Sequence, residues 1–257
     1  MKKPLVLYEV VDAVAVLTMD NPEKRNALSR AMLTALKEDL ARIAADDSVR
    51  AVVIRGNGPV FSAGHDLREL VDGGEGEYVS LFALCTEVME AIRKLPKPVI
   101  AEVRGVATAA GCQLAASCDL VVAAEEATFA TPGVKIGLFC TTPGVALSRA
   151  VGVKKAMEML LTGQPINARE AEKAGLVNRV VPGARLSEET MGLAKQIITA
   201  SAFTLGLGKH AFYEQLPLDR PGAYAVAQKA MIVNTLAPDA REGITAFLEK
   251  RPPRWTG

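Results

Sequence analysis

The sequence predicts an α/β protein in which strands and helices wind in a repeated β-β-α pattern before the chain ends in a helical extension. Of the 257 residues, 49% are hydrophobic and only 5% are aromatic, a composition that suits close packing of small and branched aliphatic side chains. Strand and helix patterns alternate as far as about residue 124, and amphipathic helical patterns replace them from about Leu186. We therefore expect a core over residues 1–182 and a helical region over residues 183–257.

The first unit is predicted from residues 5 to 44. Residues 5–10 and 14–19 are strand-like, and Ser29 can cap the helix that follows them. Apolar residues fall on one face of that helix: Met32, Leu36, Leu40 and Ile43.

The next units continue the winding. Residues 51–54 predict a buried strand that ends in the turn at 56–59, and a helix follows that Pro96 and Pro98 terminate. Its apolar residues have four-three-four-three spacing: Leu81, Cys85, Val88, Ile92 and Leu95. Residues 99–103 and 119–124 predict further strands, and a small-residue turn at 105–111 leads into a short helix between them.

The last part of the sequence is predicted to be helical. Amphipathic patterns cover residues 189–199, 223–236 and 238–250.

Charge and cysteine usage exclude several classes of partner. Thirty basic and 29 acidic residues give a net charge of +1 without long runs of either sign, which argues against nucleic acid and anionic membranes. No apolar segment reaches the ~20 residues of a membrane span. The start Met1-Lys2-Lys3-Pro4 precedes a strand pattern instead of a signal peptide, so we expect a cytoplasmic protein. The four cysteines lack CxxC spacing, and neither disulfides nor a metal are expected.

Two segments, at 61–67 and 107–113, combine small residues with an abrupt change of structure. Each can present backbone N–H groups that no carbonyl of its own segment has accepted. Two such donors that converge on one point would polarise a carbonyl and stabilise an oxyanion. Each donor would increase the reaction rate by a factor of ~10²–10³. The alternative is that both are tight turns whose residues are small for packing.

These segments also carry a resemblance. FSAGHDLREL at 61–70 and GVATAAGCQLAASCDLVVAAEEATFATP at 105–132 resemble the crotonase, or enoyl-CoA hydratase/isomerase, superfamily. The resemblance runs from NPEKRNAL at 21–28 to ITAFLEKR at 244–251. It implies a ClpP-like β-β-α spiral with a C-terminal helical region that forms trimers, commonly paired into hexamers. It also implies acyl-CoA metabolism, with a CoA thioester as substrate or ligand and no permanently bound cofactor.

The resemblance assigns roles to individual residues. The oxyanion donors would be the N–H groups of His65 and Ala110. Phe247 and Lys250 would reach CoA from a neighbouring subunit, and a lysine suits CoA phosphates. The remaining positions would contact or frame the substrate: Arg25, Ala27, Ala63, Gly64, Asp66, Leu67, Arg68, Phe139 and Thr141.

The acids of the family are missing. Two glutamates flank the substrate in hydratases, and their positions correspond to Gln113 and Gly133; Thr141 corresponds to the acid of some isomerases. Glutamine can hold a water by hydrogen bonds but cannot accept its proton. Each acid–base group increases the reaction rate by a factor of ~10²–10⁴. We therefore expect very slow hydration. Gly133 follows Pro132, and a positive φ is expected to be one obstacle to restoring its glutamate.

Few other groups could transfer protons. His65 is either a proton carrier or a histidine hydrogen-bonded to a loop, and the second interpretation is favoured. Cys140 is a weaker candidate as a nucleophile because no base is identifiable beside it, and Cys112 and Lys135 are weaker still.

Three functions follow from the sequence. The first is a crotonase-type lyase or isomerase with an atypical active site. The second is a decarboxylase or thioester hydrolase that needs mainly oxyanion stabilisation. The third is an acyl-CoA binder without catalysis.

Overall fold

The computed structural model describes residues 3–71 and 73–256. The strands are β1 Val6–Val11, β2 Val14–Met19, β3 Ala51–Gly56, β4 Val60–Ser62, β5 Val99–Val103, β6 Val106–Thr108, β7 Leu120–Ala124, β8 Thr128–Ala130, β9 Ile166–Asn167 and β10 Arg179–Val181. The helices are α1 Arg30–Ala44, α2 Arg68–Val71, α3 Glu75–Lys94, α4 Ala110–Ser117, α5 Thr141–Ala150, α6 Val153–Thr162, α7 Ala168–Ala174, α8 Leu186–Ile197, α9 Ala202–Gln215, α10 Arg220–Leu236 and α11 Pro238–Leu248. Short 3₁₀ helices span Pro22–Lys24, Pro132–Ile136 and Gly183–Arg185.

The strands form two sheets. The larger has the order β1-β2-β3-β5-β7-β10, and the smaller has the order β4-β6-β8-β9. The pairs β3–β4, β5–β6 and β7–β8 each place their first strand in the larger sheet and their second in the smaller one. A helix follows each pair, so each of these three β-β-α units adds one strand to each sheet. This is the predicted β-β-α winding.

Apolar side chains cover both faces of the larger sheet. On one face, Leu17 and Ile54 join a large cluster with residues of α1, α3 and α4. On the other face, Val16 and Val53 pack with Leu193 of α8. Every residue of β2 is buried, which explains why its sequence is almost uninterruptedly apolar.

The smaller sheet positions the candidate site. Its strands β4, β6 and β8 are parallel neighbours, so their carboxyl ends lie at the same edge. The segments that leave this edge begin at Ala63, Ala109 and Thr131. Two of them are the small-residue segments, which lie far apart in the sequence.

The α/β class and the helical C-terminal part are confirmed, and the differences include three short strands and one longer helix. The three-residue strands β4, β6 and β8 are too short to show alternation. Helix α9 was also missed, because its apolar residues do not form one stripe and it contains Gly206 and Gly208. Gly206 is needed for close packing, since a Cβ there would lie 2.8 Å from the carbonyl oxygen of Pro96.

The division at residues 182 and 183 stays a prediction. The first helix of the extension, α8, shares an apolar cluster with the larger sheet. The outermost residues of the two predicted units, Met1 and Gly257, lie outside the described residues.

Within the part of the chain that the structure describes, no helix has both the length and the apolar character that crossing a lipid bilayer requires.

Candidate active site

The two small-residue segments touch each other. Gly64 has φ +87°, and a Cβ on it would lie 2.9 Å from the Ala109 Cβ and 3.1 Å from the Ala110 nitrogen. A Cβ on Gly111 would overlap the carbonyl oxygen of Ser62. The approach of the two backbones therefore requires glycine at 64 and 111.

In the segment after β4, the N–H of His65 has no acceptor among the described residues. Ala63 N–H donates to the Arg25 carbonyl at 3.0 Å, and Gly64 N–H donates to Ser62 Oγ at 3.3 Å. The Gly64 carbonyl accepts from Leu28 N–H at 2.8 Å. Because the N–H and C=O of a peptide point in opposite directions, the His65 N–H points away from Leu28. It donates no hydrogen bond within the described residues.

In the segment after β6, the N–H of Ala110 has no acceptor among the described residues. Ala109 has φ 50° and ψ −120°, a conformation that costs a residue with a Cβ about 1–3 kcal/mol. Its N–H donates to the Ala130 carbonyl at 2.9 Å, and its own carbonyl accepts from Gln113 N–H at 3.0 Å. Ala110 is the first residue of α4, where N–H groups have no helical acceptor. Its N–H has no acceptor among the described residues either.

A cavity of about 600 Å³ lies against both segments. None of its described lining residues is acidic, and most are apolar. The residues that line it are Ala63, His65, Leu67, Leu70, Phe82, Thr108, Ala109, Ala110, Pro132, Gly133, Lys135, Ile136, Leu138, Phe139, Cys140, Thr141, Thr142 and Pro143. This lining suits an apolar ligand better than a strongly polar one.

The predicted site residues divide into two groups. Those that line the cavity are Ala63, His65, Leu67, Ala110, Gly133, Phe139 and Thr141. Those that do not are Arg25, Ala27, Gly64, Asp66, Arg68, Gln113, Phe247 and Lys250.

For several residues of the second group, the structure shows a hydrogen bond, an ion pair or the degree of burial. Arg25 accepts the Ala63 hydrogen bond through its carbonyl, and Ala27 is buried. The Asp66 carboxylate accepts from Arg68 N–H at 3.2 Å and lies 3.7 Å from Lys24 Nζ. Phe247, at the end of α11, is 82% exposed in the single chain.

The two positions that correspond to the family's acids differ in their surroundings. Gln113 is buried on α4, and its Oε1 has no hydrogen-bond partner among the described residues. Gly133 lies in the 3₁₀ helix after β8, and it is not among the glycines with positive φ. The expected positive φ is therefore wrong. The obstacle is steric instead, because a Cβ at Gly133 would lie 2.7 Å from the Leu138 carbonyl oxygen and 2.8 Å from Cys140 Sγ.

The His65 ring is held by one hydrogen bond and one aromatic contact. Its Nδ1 lies 3.2 Å from the Leu28 carbonyl oxygen, and its plane is nearly perpendicular to that of Phe82, with ring centroids 5.6 Å apart. Nε2 is buried without a partner among the described residues. Burial lowers the pKa of His65, against smaller opposing effects of the Leu28 hydrogen bond and Glu69.

The cysteines near the cavity are thiols. Cys140 Sγ accepts a hydrogen bond from Gly133 N–H at 3.3 Å, and burial raises the Cys140 pKa. Burial also raises the pKa of Cys112 to about 12. Neither cysteine has the thiolate character of a nucleophile.

Among the residues of this site that the sequence did not predict, three contact or shape the two turns. Leu28 binds the Gly64 carbonyl and the His65 ring, Ala109 adopts the unusual turn conformation, and Phe82 covers the imidazole. Ala109 was within the small-residue segment, but its backbone angles carry no sequence signal. Phe82 lies one position after the apolar stripe of its helix, so periodicity predicted only a surface residue.

Comparisons with known proteins bear on this site. The family model described as enoyl-CoA hydratase/isomerase matches residues 9–257. The human protein named enoyl-CoA hydratase domain-containing protein 3, mitochondrial, is 51% identical over 247 residues, which cover 96% of this chain and 82% of that protein. Its crystal structure has a TM-score of 0.95 at 50% identity and covers 98% of this chain and 100% of that one. A structure of enoyl-CoA hydratase from Mycobacterium smegmatis has a TM-score of 0.96 at 49% identity and covers 99% of this chain and 100% of that one.

The same comparisons correct one expectation. Relatives of 49–51% identity from mouse, human and rat carry the word mitochondrial in their names. The cytoplasmic location predicted from the sequence is therefore contradicted. Charge, hydropathy and the first four residues did not contain the information that this prediction needed.

Proposed function

Because the chain belongs to the enoyl-CoA hydratase/isomerase family of the crotonase superfamily, we propose that it binds acyl-CoA thioesters with the carbonyl oxygen between the backbone N–H groups of His65 and Ala110. One observation carries the proposal: neither N–H group has an acceptor among the described residues, and both residues line the same cavity. A desolvated N–H without a partner costs free energy. A ligand oxygen would remove that cost.

The arrangement supports stabilisation of an enolate or a tetrahedral oxyanion. Hydrogen bonds to a carbonyl oxygen strengthen as negative charge develops on it, and donors that are already oriented need no reorganisation. The Gly64 carbonyl is held by Leu28 and the Ala109 carbonyl by Gln113. Both donor peptides are therefore oriented before a substrate enters.

Few side chains in the cavity could transfer protons to and from water. The described cavity lining contains no carboxylate, and its titratable side chains are His65, Lys135 and Cys140. The Gln113 amide cannot accept a proton near neutral pH. We expect hydration of crotonyl-CoA at least ~10³-fold slower than in a hydratase with both glutamates, since two contributions of ~10²–10⁴ are lost without full additivity.

The absence of acids from the described lining favours a second candidate function. A decarboxylation or a thioester hydrolysis places negative charge on the thioester oxygen and depends mainly on the two N–H donors. A binder without turnover would use the same donors for affinity alone. Product analysis separates these functions, because decarboxylation releases carbon dioxide and hydrolysis releases free CoA.

The proposal is tested by titrating the protein with a dienoyl-CoA whose ultraviolet absorbance shifts to longer wavelength when its carbonyl is polarised. Binding with a red shift, together with slow crotonyl-CoA hydration, is the expected result. Binding without a red shift would contradict the two-donor site. A hydration rate comparable to that of ordinary hydratases would contradict the assignment of Gln113 and Gly133.

A further inference from the structure

We propose that the His65 imidazole is a positioning group that orients the N–H of its own backbone through Leu28. This inference rests on the proposed function and adds a role for a side chain. It differs from a role as proton carrier, because the ring is assigned to holding the peptide and not to exchanging protons with a substrate.

Leu28 binds this turn with both of its backbone polar groups. Its N–H donates to the Gly64 carbonyl at 2.8 Å, and its carbonyl oxygen lies 3.2 Å from His65 Nδ1. Leu28 is fully buried, next to the Ser29 cap of α1. The turn is therefore held to a buried part of the core at two points, the carbonyl of the Gly64–His65 peptide and the His65 side chain.

The Gly64–His65 peptide needs these hydrogen bonds to hold its orientation, because Gly64 is conformationally free. Glycine populates positive and negative φ almost equally, so the backbone of Gly64 gives little resistance to rotation of the peptide that follows. Rotation would change the direction of the His65 N–H, which now points opposite to the Gly64 carbonyl. The Leu28 N–H opposes this rotation through its hydrogen bond to the Gly64 carbonyl. The imidazole opposes it through its contact with the Leu28 carbonyl oxygen.

The ring can hold this position in only one neutral tautomer. A carbonyl oxygen accepts and never donates, so Nδ1 must carry the hydrogen and Nε2 must be bare. Nε2 is buried and has no partner among the described residues, so an added proton there would have neither water nor an acceptor. Phe82 packs edge-on against the ring. The nearby charged group that raises the His65 pKa is Glu69 of α2, and it does not overcome the effect of burial.

Substitutions at His65 test whether a side-chain N–H donor at the position of Nδ1 is what orients the backbone. In His65→Asn the side-chain amide nitrogen can lie near the position of Nδ1, whereas in His65→Gln it lies near the position of Nε2. We expect His65→Asn to keep most of the dienoyl-CoA red shift. We expect His65→Gln and His65→Leu to lose most of it and to bind the ligand about tenfold more weakly, the effect of one lost well-directed hydrogen bond.

Equal red shifts in the wild type, His65→Gln and His65→Leu would overturn the positioning role while leaving the proposed function intact. A wild type that binds without any red shift would instead contradict the proposed function and this inference together. A merely structural role would lower the melting temperature of all three variants without separating Asn from Gln in the spectrum.

Nitrogen NMR gives a measurement that needs no ligand and leaves His65 unchanged. The chain has only two histidines, His65 and His210, so His210→Gln assigns the signals. We expect the neutral His65 ring with its hydrogen on Nδ1 and a pKa below that of a free histidine. A ring with its hydrogen on Nε2 would overturn the inference.

Discussion

At the scale of single residues, Gly133 and Cys140 form a matched pair. The space that a side chain at 133 would enter is occupied by the Cys140 thiol and the Leu138 carbonyl, and the thiol accepts the Gly133 N–H. Replacing the missing acid therefore requires more than a change of residue type at 133. The neighbour in space, seven positions later in the sequence, has to become smaller as well.

This pair predicts the outcome of an attempt to restore hydration. The double change Gln113→Glu with Gly133→Glu should gain less than the ~10² of one acid–base group, because the new Cβ cannot be accommodated without a backbone shift. Adding Cys140→Gly removes the contact with the thiol but leaves the Leu138 carbonyl in place, so crotonyl-CoA hydration should rise above that of the double variant and stay below that of a hydratase with both glutamates. Cys140→Gly alone is the control and should leave hydration slow. A double variant as active as the triple one would contradict the steric explanation.

His65 also predicts a pH dependence of stability. Its pKa is lowered in the folded protein, so below about pH 6.5 the unfolded chain binds a proton that the folded chain excludes. The free energy of unfolding should therefore fall as the pH decreases through this range. His65→Asn removes the titrating group and should flatten the dependence between pH 7 and pH 5 in urea unfolding.

The matched control is His210→Asn, because His210 is exposed on α9 beside Glu214. It should keep the wild-type slope. Identical slopes in the wild type and His65→Asn would show that the ring is not buried as described.

At the scale of elements, α9 is attached to the core through the buried Lys209 and through Tyr213, whose hydroxyl donates to Asp119 at 2.8 Å. Lys209 Nζ donates to the carbonyls of Ile92 and Lys97 at 2.9 and 3.0 Å and forms an ion pair with Asp119 at 2.6 Å. The Lys209 side chain is only 8% exposed. One ammonium group therefore joins α9 to the end of α3, to the turn after it and to the residue before β7.

Removing this lysine should be costly. Lys209→Ala leaves a poorly solvated Asp119 carboxylate and two carbonyls without their donor, and breaking a buried pair in this way costs about 3–5 kcal/mol. Urea unfolding should show that loss. Lys155→Ala removes an exposed ion pair with Glu158 and should cost less than about 1 kcal/mol. Similar losses in the two variants would mean that α9 is not anchored through Lys209.

At the scale of the whole molecule, the C-terminal helices expose large apolar side chains. Phe212, Tyr224, Leu236 and Phe247 are 55%, 63%, 80% and 82% exposed in the single chain. Exposed apolar patches of this kind mark association surfaces. We expect a trimer or a pair of trimers, the assembly that the resemblance implies, and light scattering at micromolar concentration measures it.

A prediction for the assembled protein concerns Lys250, which does not line the cavity of its own chain. If it reaches CoA in a neighbouring subunit, Lys250→Glu should weaken acyl-CoA binding, and more strongly at low salt because charge repulsion is then less screened. Lys154→Glu makes the same charge change at an exposed position of α6 and should leave the affinity unchanged. Equal affinities in Lys250→Glu and the wild type would remove Lys250 from the site.

The sequence by itself determined the family, the α/β class, the two small-residue segments and the absence of acids at 113 and 133. These properties depend on residue type and local periodicity, which a single chain displays directly. It also placed the longer strands and helices correctly as far as about residue 124, whereas the 14-residue helix α9 was not predicted. It did not contain the cellular location.

Only the tertiary structure decided which N–H groups are free, because that depends on acceptors far away in the sequence, such as Leu28 for the turn at Gly64. It also decided that Gly133 is blocked by Cys140 and Leu138 and not by its own φ, and that the His65 ring holds a peptide with its Nε2 buried. The physical reason is the same in each case. Hydrogen bonds and van der Waals contacts join residues that are neighbours only after folding, so local sequence patterns cannot specify them.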